Sequence, residues 1–424
     1  MKPHLDHTYA AYIGIDWADQ KHDICLQAAH TESRELTILA HRPDAIEAWA
    51  LSLKQRFHGQ PVAVCLELTK GPLVYALQKY DFFVLFPVNP STLAKYRQAF
   101  TPSNAKDDPS DAQLQLELLM QHRDKLKALQ PQGVEMRTLQ CLVEQRRGLV
   151  DDRVRVSNEL TYALKQYYPQ VLEWFKEKDT LVFCDFLSRW PTLKKARLAR
   201  IATLESFFHE HNVRYPQVIE TRISAIKAAT PLTNDVSVIM PHQLLVQALV
   251  QQLRVLLDAI ECFDKQIATF AQTLPDYVLF KALPGAGPIY APRLLAAFGE
   301  QRERYQSAAE IQKYAGIAPV TERSGKKCWI HWRLQCPKFL RQTFVEWAAE
   351  TIPRSFWAGA YYRQQREKGC SHQVAVRALA FKWIRILFRC WQNRTPYDES
   401  IYLNSLRRRG SLLLNSIGEA VKTT

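Results

Sequence analysis

The sequence predicts an α/β domain at the N-terminus, a helical middle region with a coiled-coil seam, and a mainly α-helical C-terminal domain. Short apolar runs alternate with helical segments in the N-terminal part, apolar residues repeat with heptad spacing in the middle third, and a glycine turn feeding a helix follows Pro275. Because 424 residues exceed what one core usually holds, we expect several domains. The predicted segments are residues 1–128, 129–275 and 276–400, followed by a basic tail at 401–424.

The N-terminal domain is predicted from apolar runs that are separated by turn residues. Three strands are followed by helix, strand, helix, strand and a further helix, an order typical of a ribonuclease-H-like α/β domain. A basic segment with Ser and Asn connects the last strand to the last helix, which begins at Asp108 with Pro109 in the first helical position. The predicted strands are residues 12–16, 24–28, 35–39, 62–67 and 82–86, and the two earlier helices are residues 43–56 and 73–80.

Two carboxylates, Asp108 and Asp111, lie three residues apart in the first turn of that last helix. One explanation is capping, because Asp108 suits the N-cap and an acid at 111 is favoured by the helix dipole. The other is a divalent-cation site, because residues three apart share a helix face and Mg²⁺ prefers oxygen ligands. The two explanations are compatible. Asp16 on the first strand and Glu67 on a later buried strand add carboxylates that favour the metal site, with Mg²⁺ or Mn²⁺ as the ion.

The middle third contains two long helices with apolar seams. The clearer seam predicts either a coiled-coil strand or the core helix of a bundle, since both show the same spacing. An earlier helix over residues 133–168 has a looser seam, which Arg146 and Arg153 interrupt. The two helices are expected to pair, either as an antiparallel hairpin within one chain or across chains, and residues 170–240 between them predict a helical insertion. The clearer seam consists of Val246, Leu249, Leu253, Leu256, Ile260, Phe263, Ile267 and Phe270.

Two motifs of the C-terminal domain suggest phosphate binding. Gly285 and Gly287 precede an amphipathic helix, and such a turn can offer backbone N–H groups and a helix start to a phosphate; the alternative is an ordinary helix connection. Further on, Ser324 is predicted in a loop whose neighbouring cations hold a phosphate and lower the cost of forming an alkoxide nucleophile. The alternative there is a simple turn. The neighbouring cations are Arg323, Lys326 and Lys327.

The charge of the chain is +14, and nearly all of the excess lies in residues 323–409, with eighteen Lys and Arg against five Asp and Glu. This distribution favours a nucleic acid or another polyanion as partner, although a solvated basic face is the simpler alternative. Neither a secretory signal nor a membrane-spanning run is found, and the scattered cysteines suit reduced thiols, so we expect a soluble intracellular protein. Interleaved aromatic residues favour a binding surface: Trp329, Trp332, Phe339, Trp347, Trp357, Tyr361, Tyr362, Trp383 and Trp391.

An ordered set of motifs resembles the DEDD transposases of the insertion-sequence one-ten family. The resemblance covers roughly residues 11–395, with the motifs in family order and at family-like separations. The motifs are Ile13-Gly14-Ile15-Asp16, Leu66-Glu67, Val88-Asn89-Pro90, residues 106–112, Leu283-Pro284-Gly285-Ala286-Gly287, and residues 315–319 leading to Ser324-Gly325.

The resemblance implies a DNA recombinase that transposes an insertion sequence. Asp16, Glu67, Asp108 and Asp111 match the family's four metal-binding acids in a RuvC-like domain, and Ser324 matches its nucleophilic serine. The implied reaction is attack of the serine on a DNA phosphate to form a phosphoserine link, while the metal-bound domain activates the serine and stabilises the leaving 3′ oxygen. The implied partners are double-stranded donor and target DNA, an element-encoded bridge RNA, and further copies of the chain in a dimer or tetramer, in the cytoplasm and nucleoid of a prokaryote.

The sequence also departs from the family pattern. Leu68-Thr69-Lys70-Gly71 follows Glu67 where a small residue, Thr and Gly are usual, and Asp107 adds an acid beside Asp108. We prefer Asp108 as the ligand because it has the three-residue spacing to Asp111. Three other functions remain open at this point: a site-specific DNA invertase on the same scaffold, a metal-dependent junction nuclease that needs the acids but not Ser324, and a non-catalytic nucleic-acid-binding protein.

Overall fold

The structure is a computed structural model that describes residues 9–100, 108–411 and 413. The chain divides into two units, Met1–Pro131 and Gln132–Thr424. The first has the predicted α/β architecture, and the second contains the long middle helices and a mainly helical C-terminal region, so the predicted fold class is confirmed. The finer division into four segments stays a prediction. Asp107 and most of the predicted tail after residue 411 lie outside the described residues.

A five-stranded mixed sheet forms the centre of the N-terminal unit. Its strands are β1 (Ala11–Trp17), β2 (Lys21–Ala28), β3 (Arg34–Ala40), β4 (Val62–Leu66) and β5 (Phe83–Pro87). The strand order is β3-β2-β1-β4-β5, with antiparallel pairing among the first three strands of the chain and parallel pairing of β1 with β4 and of β4 with β5. The helices are α1 (Pro43–Arg56), α2 (Pro72–Leu77), α3 (Pro90–Phe100) and α4 (Asp108–His122).

Helices cover both faces of the central strands. Because side chains alternate along a strand, Ile13 and Ile15 of β1 face one side, where they share a core with residues of α1 and α2. Cys25 of β2 faces the other side and packs against α4. Burial on both faces explains why β4 consists entirely of buried apolar residues rather than alternating ones.

Helix α3 occupies most of the segment that the sequence analysis treated as a connection without a helix. The Asn89 side-chain oxygen accepts a hydrogen bond from the backbone N–H of Ser91 at 2.9 Å, and Pro90 is the first helical residue. Asn before Pro is therefore a helix start here, with a side-chain cap and a preset φ angle. The expected connection without a helix was wrong, because Asn89 and Pro90 indicate the end of a strand as well as the start of a helix.

The two long helices of the second unit are α5 (Val134–Tyr167) and, after five short helices, α11 (Val236–Ala271). They pair antiparallel within one chain: Arg146 near the start of α5 donates to Asp264 near the end of α11, and the ring of Tyr167 lies beside that of His242 at the opposite ends. The heptad seam is thus used inside the chain, and this decides between the two pairings that the sequence left open.

A helical insertion lies between the long helices, as predicted. It consists of α6 (Val171–Trp174), α7 (Leu181–Arg189), α8 (Leu193–Leu198), α9 (Ile201–Glu210) and α10 (Pro216–Ala228). Its aromatic core includes Phe183, Phe186 and Phe208, which share a cluster with apolar residues of α5 and α11. Arg153, which interrupts the seam of α5, forms an ion pair with Asp179 at 3.3 Å and so faces this insertion.

Helices also dominate the rest of the second unit. They are α12 (Tyr277–Lys281), α13 (Gly287–Phe298), α14 (Ala308–Tyr314), α15 (Lys338–Thr351), α16 (Phe356–Glu367), α17 (His372–Asn393) and α18 (Glu399–Arg408), and β6 (Val320–Ser324) and β7 (Lys327–His331) form a hairpin. Every residue of α13 from Ala291 onward is buried, so the expected amphipathic helix is instead a core helix. Across the described ranges, no helix is both long and apolar enough to cross a membrane.

Most of the predicted aromatic surface is core. Trp347, Trp357, Trp383 and Trp391 are each 0% exposed and belong to one large cluster. The expectation that they form a binding surface was wrong, because helical spacing on α15, α16 and α17 turns them inward. The exposed tryptophans of this set lie in and just after the hairpin.

Candidate functional site

Asp16 and Glu67 lie at the same edge of the N-terminal sheet. β1 and β4 are parallel and in register through Ile15 and Leu66, so the next residues of the two strands are neighbours. Adjacent strands are about 4.8 Å apart. By alternation, the Asp16 side chain lies on the face that α4 covers. The predicted strand ran to Glu67, but β4 ends at Leu66, so Glu67 lies in a bend directly after the strand, and both acids are partly buried. Two of the four predicted acids are therefore side by side.

Helix α4 rests directly on β1 at Gly14. A Cβ atom at this position would lie 2.6 Å from the backbone nitrogen of Leu116 and closer still to the carbonyl oxygen of Ala112. Glycine is required here by the close approach of a helix backbone, not by an unusual φ angle. This approach holds the first turn of α4, with Asp111, over the strand that carries Asp16.

The Asp111 carboxylate is buried and paired with an arginine that the sequence analysis did not identify. Arg97 of α3 donates from Nε to Asp111 Oδ1 at 3.0 Å, and its Nη2 also donates to that oxygen. The side chains are 15% and 4% exposed, so the guanidinium neutralises a charge that burial would otherwise make costly. No sequence signal identified Arg97, because its position depends on a helix that was not predicted.

Asp23 is a further acid at this edge that the sequence analysis missed. It lies on β2 directly opposite Asp16, is 6% exposed, and forms an ion pair with Lys21 at 3.4 Å. The predicted strand began at Ile24, one residue too late to include it. The available signal was an acid immediately before an apolar run that pairs with the strand of Asp16.

Ser324 is the last residue of β6, at a tight hairpin turn rather than in the predicted loop. It pairs with Lys327 across the turn, and Gly325 and Lys326 are the two turn residues. Gly325 has φ +57°, as the first turn residue of a type II′ turn requires. Every residue from 321 to 332 is exposed.

The hairpin register separates the cations that the sequence placed around Ser324. Lys327 lies opposite Ser324 on the same face, whereas Arg323 pairs with Cys328 on the other face. Lys326 lies in the turn itself. Of the three predicted phosphate-binding cations, Lys327 therefore has its side chain directed to the same side as the serine hydroxyl.

The two glycines of the predicted phosphate turn have different surroundings. Gly285 has φ +69°, and a Cβ there would lie 2.9 Å from the Glu350 carbonyl oxygen, so packing on α15 requires a glycine. Gly287 has φ +50°, is exposed, and would have no atom within 4 Å of a Cβ. Gly285 therefore has a packing role, whereas Gly287, the first residue of α13, is exposed to solvent.

Comparison with known protein families decides what these two units are. Residues 13–169 match a family model for DEDD transposases, and residues 277–363 match the model described as Transposase IS116/IS110/IS902 family. The chain belongs to the IS110 family of transposases. An IS110-family transposase is an enzyme that cuts and transfers DNA strands, so DNA binding follows from the assignment.

Relatives of this transposase match along most of its length. It is 28% identical over 412 residues to the mini-circle putative transposase for IS117 of Streptomyces coelicolor, covering 93% of this chain and 97% of that protein. It is 26% identical over 288 residues to an uncharacterised insertion element IS116 protein of Streptomyces clavuligerus, covering 67% and 70% of the two chains. It is 24% identical over 311 residues to an uncharacterised insertion element IS110 protein of Streptomyces coelicolor.

A DEDD domain implies a divalent metal ion. Across the described residues, no three His, Cys, Asp or Glu side chains are gathered closely enough to hold an ion. The side chain of Asp108, the first residue of α4, lies outside those residues. Gln115, one turn after Asp111, is fully buried and finds no hydrogen-bond partner for its amide in the described chain. Carboxylate and amide oxygens suit Mg²⁺ or Mn²⁺.

Proposed function

We propose that this transposase cuts DNA by attack of the Ser324 hydroxyl oxygen on a backbone phosphorus. The new bond joins Oγ to phosphorus, and the bond from phosphorus to the 3′ oxygen breaks, which leaves a phosphoserine link to one DNA end and a 3′ hydroxyl on the other. The serine proton passes to a base, and the departing 3′ oxygen takes up a proton. Rejoining reverses these steps with the 3′ hydroxyl of a different strand.

The observation that carries this proposal is the exposure of Ser324 at the hairpin turn with Lys327 opposite it. A serine that attacks DNA must be within reach of a backbone phosphate, and the end of a strand at a tight turn is open to such a phosphate. The ammonium groups of Lys326 and Lys327 add positive charge where a phosphate and its pentacovalent transition state carry negative charge. The match of residues 277–363 to the transposase family supports the same role.

We propose further that Asp16, Glu67, Asp108 and Asp111 hold Mg²⁺ or Mn²⁺. When bound, such an ion lowers the pKa of an attacking hydroxyl and stabilises charge on a leaving oxygen. The chain's own contribution is to position the ligands: Asp16 lies on β1, Glu67 directly follows the parallel strand β4, and α4 is held on β1 at Gly14. Arg97 supplies the positive charge that lets Asp111 stay buried.

We also propose that an element-encoded guide RNA and two DNA duplexes, donor and target, bind the chain at the bacterial chromosome in the cytoplasm. The supporting observation is the excess of eighteen Lys and Arg over five Asp and Glu in residues 323–409, since cations that neutralise phosphates drive such binding. Arg323, Lys326 and Lys327, with the exposed turn at Gly287, are the proposed contacts.

The proposed assembly is a dimer or tetramer. The heptad seam is occupied within the chain, so copies must associate through other surfaces. Tyr162 and Val255, on the outer sides of α5 and α11, are 69% and 68% exposed and are candidates. Light scattering of the purified protein measures the mass of the assembly, and a monomer in the presence of RNA and DNA contradicts this part of the proposal.

The serine step is tested by trapping the covalent intermediate. Full-length protein is incubated with Mg²⁺, RNA that copurifies with it, and DNA that carries an element end and its native flanks. Denaturing gels then detect protein attached to DNA, and mass spectrometry locates the modified residue. We expect the adduct at Ser324 and none with Ser324→Ala.

Thr321→Ala is the matched control for this experiment. Thr321 is an exposed hydroxyl residue on the same strand but on the opposite face of the hairpin, so its removal leaves adduct formation unchanged. Strand cleavage that persists in Ser324→Ala favours hydrolysis by water, as in a junction nuclease, and rejects the serine mechanism.

The guide RNA is tested by sequencing the RNA that copurifies with the protein expressed together with its native flanking DNA. We expect an RNA encoded by the element itself. Recovery of only bulk cellular RNA rejects guidance while leaving the serine chemistry intact.

A further inference from the structure

Trp329 differs from the core tryptophans of its unit because its ring is open to solvent. It lies on β7 and is 44% exposed, whereas the four tryptophans of α15, α16 and α17 are 0% exposed. All five residues of β7 are exposed. Burying a large aromatic ring is favourable, so a half-exposed indole beside the proposed nucleophile is suited to stacking against a ligand.

The hairpin register places Trp329 next to the proposed nucleophile. Ser324 pairs with Lys327, and Glu322 pairs with Trp329, so these four residues alternate onto one face. Trp329 is the diagonal neighbour of Ser324, and such neighbours are about 7–8 Å apart. This separation suits a base whose own backbone phosphate lies at the serine.

Charge around the ring favours a nucleic acid over a protein partner. Residues 320–333 contain four Lys and Arg and only one acid, Glu322. The Glu322 carboxylate lies 3.4 Å from Nε2 of His331 on the neighbouring strand. Ile330, the neighbouring apolar side chain of β7, lies on the opposite face, so the two side chains do not form one continuous apolar surface.

We propose that Trp329 is a stacking platform for an unpaired base adjacent to the phosphate that Ser324 attacks. The inference rests on the proposed function of Ser324 and adds a residue that positions the substrate. Base stacking on an aromatic ring tolerates any base, because every base has a flat face. The platform therefore holds an unpaired strand next to the serine without dictating its sequence.

The test uses photochemical crosslinking with the full-length protein. The probe is a 12-nucleotide oligothymidylate with one 5-iodouracil, and crosslinked peptides are mapped by mass spectrometry. We expect a crosslink at Trp329 that Trp329→Ala abolishes. In equilibrium titrations with the same probe, Trp329→Ala weakens binding by about 5- to 150-fold, since stacking contributes about 1–3 kcal/mol per base. Trp329→Phe retains most of the affinity.

Two variants separate stacking from other effects. Ile330→Ala removes an exposed apolar residue from the opposite face, 72% exposed, and leaves the crosslink and the affinity unchanged. Lys327→Ala lowers the salt dependence of binding by about 0.7 in log–log slope, whereas Trp329→Ala leaves that slope unchanged because no phosphate contact is lost.

Three results overturn the proposal. The first is an affinity of Trp329→Ala equal to wild type, and the second is a loss of affinity in Ile330→Ala equal to that in Trp329→Ala. The third is a change in assembly mass in Trp329→Ala without a change in binding, which assigns the ring to a contact between copies. The underlying function fails separately. An adduct at Ser324 without a crosslink at Trp329 rejects only the platform, and a crosslink at Trp329 with cleavage intact in Ser324→Ala rejects only the serine mechanism.

Discussion

Substitution Gly14→Ala tests how α4, and with it Asp111, is held over the sheet. The added Cβ would lie 2.6 Å from the Leu116 nitrogen, whereas ordinary contacts of a Cβ begin at 3.4 Å. The clash is with helix backbone, which cannot rotate away as a side chain can. The Ala112 carbonyl oxygen would lie closer still, so α4 must retreat by about 1 Å or more, and the first turn with Asp111 moves with it.

The expected cost has two parts. Overpacking a well-packed core costs about 1–3 kcal/mol, and a clash with backbone belongs near the upper end, so urea unfolding followed by circular dichroism should show a loss of about 3 kcal/mol. A displacement of about 1 Å at a catalytic group reduces activity roughly a hundredfold, which the yield of the covalent DNA adduct measures in conditions where the variant is still folded.

Gly148→Ala is the matched control. Gly148 lies on an exposed side of α5, and a Cβ there would have no atom within 4 Å. Alanine favours a helix over glycine by about 0.5–1 kcal/mol, so this variant gains stability and keeps its activity. Wild-type stability together with wild-type adduct yield in Gly14→Ala refutes the close approach of α4 to β1.

Three further predictions concern buried groups. Arg97→Met leaves the Asp111 carboxylate buried without its partner and lowers the free energy of unfolding, measured in urea, by about 3 kcal/mol. Adding Asp111→Asn recovers part of this loss, whereas additive losses in the double variant contradict the pairing. Burial, with a smaller contribution from a neighbouring histidine, lowers the pKa of His22 from 6.5 to about 4. As the pH falls below 6.5, His22 takes up a proton in the unfolded chain before it does so in the folded one. The free energy of unfolding is therefore about 2 kcal/mol lower at pH 5 than at neutral pH, and His22→Asn does not show this loss. Trp383→Ala lowers the free energy of unfolding by about 3–5 kcal/mol, whereas Trp329→Ala changes it by less than about 0.5 kcal/mol. Equal losses in the two variants contradict the assignment of Trp383 to the core.

Much of the N-terminal fold was predictable because its signals are local. The apolar runs of β1 and β4 and the bounds of α1 follow from composition and from Pro and Gly punctuation. The long helix α5 was also predicted to within a residue at each end. Asp16 and Glu67 could be proposed as neighbours because parallel strands end at one edge of a sheet.

Several features were not predictable because they depend on pairing between distant segments. The second acid opposite Asp16 was missed because a strand register fixes that neighbour, and the arginine partner of Asp111 was missed because its helix was not expected. Helical spacing alone does not say whether a tryptophan faces a core or a ligand, so the aromatic residues of α15 and α17 were misassigned. The turn at Ser324 was not predicted because the strands beside it carry no burial pattern: four of the five residues of β6 and all five of β7 are exposed.

The sequence by itself determined the kinds of groups available: four acids and a serine in the order of a transposase family, a heptad seam and a basic C-terminal quarter. Tertiary structure alone decided which of them meet. The seam closes within one chain, where most of its apolar residues are buried and Arg146 pairs with Asp264. Gly14 accepts a helix backbone because it has no side chain. Ser324 and Trp329 share a face because strand pairing, unlike composition, sets the direction of each side chain.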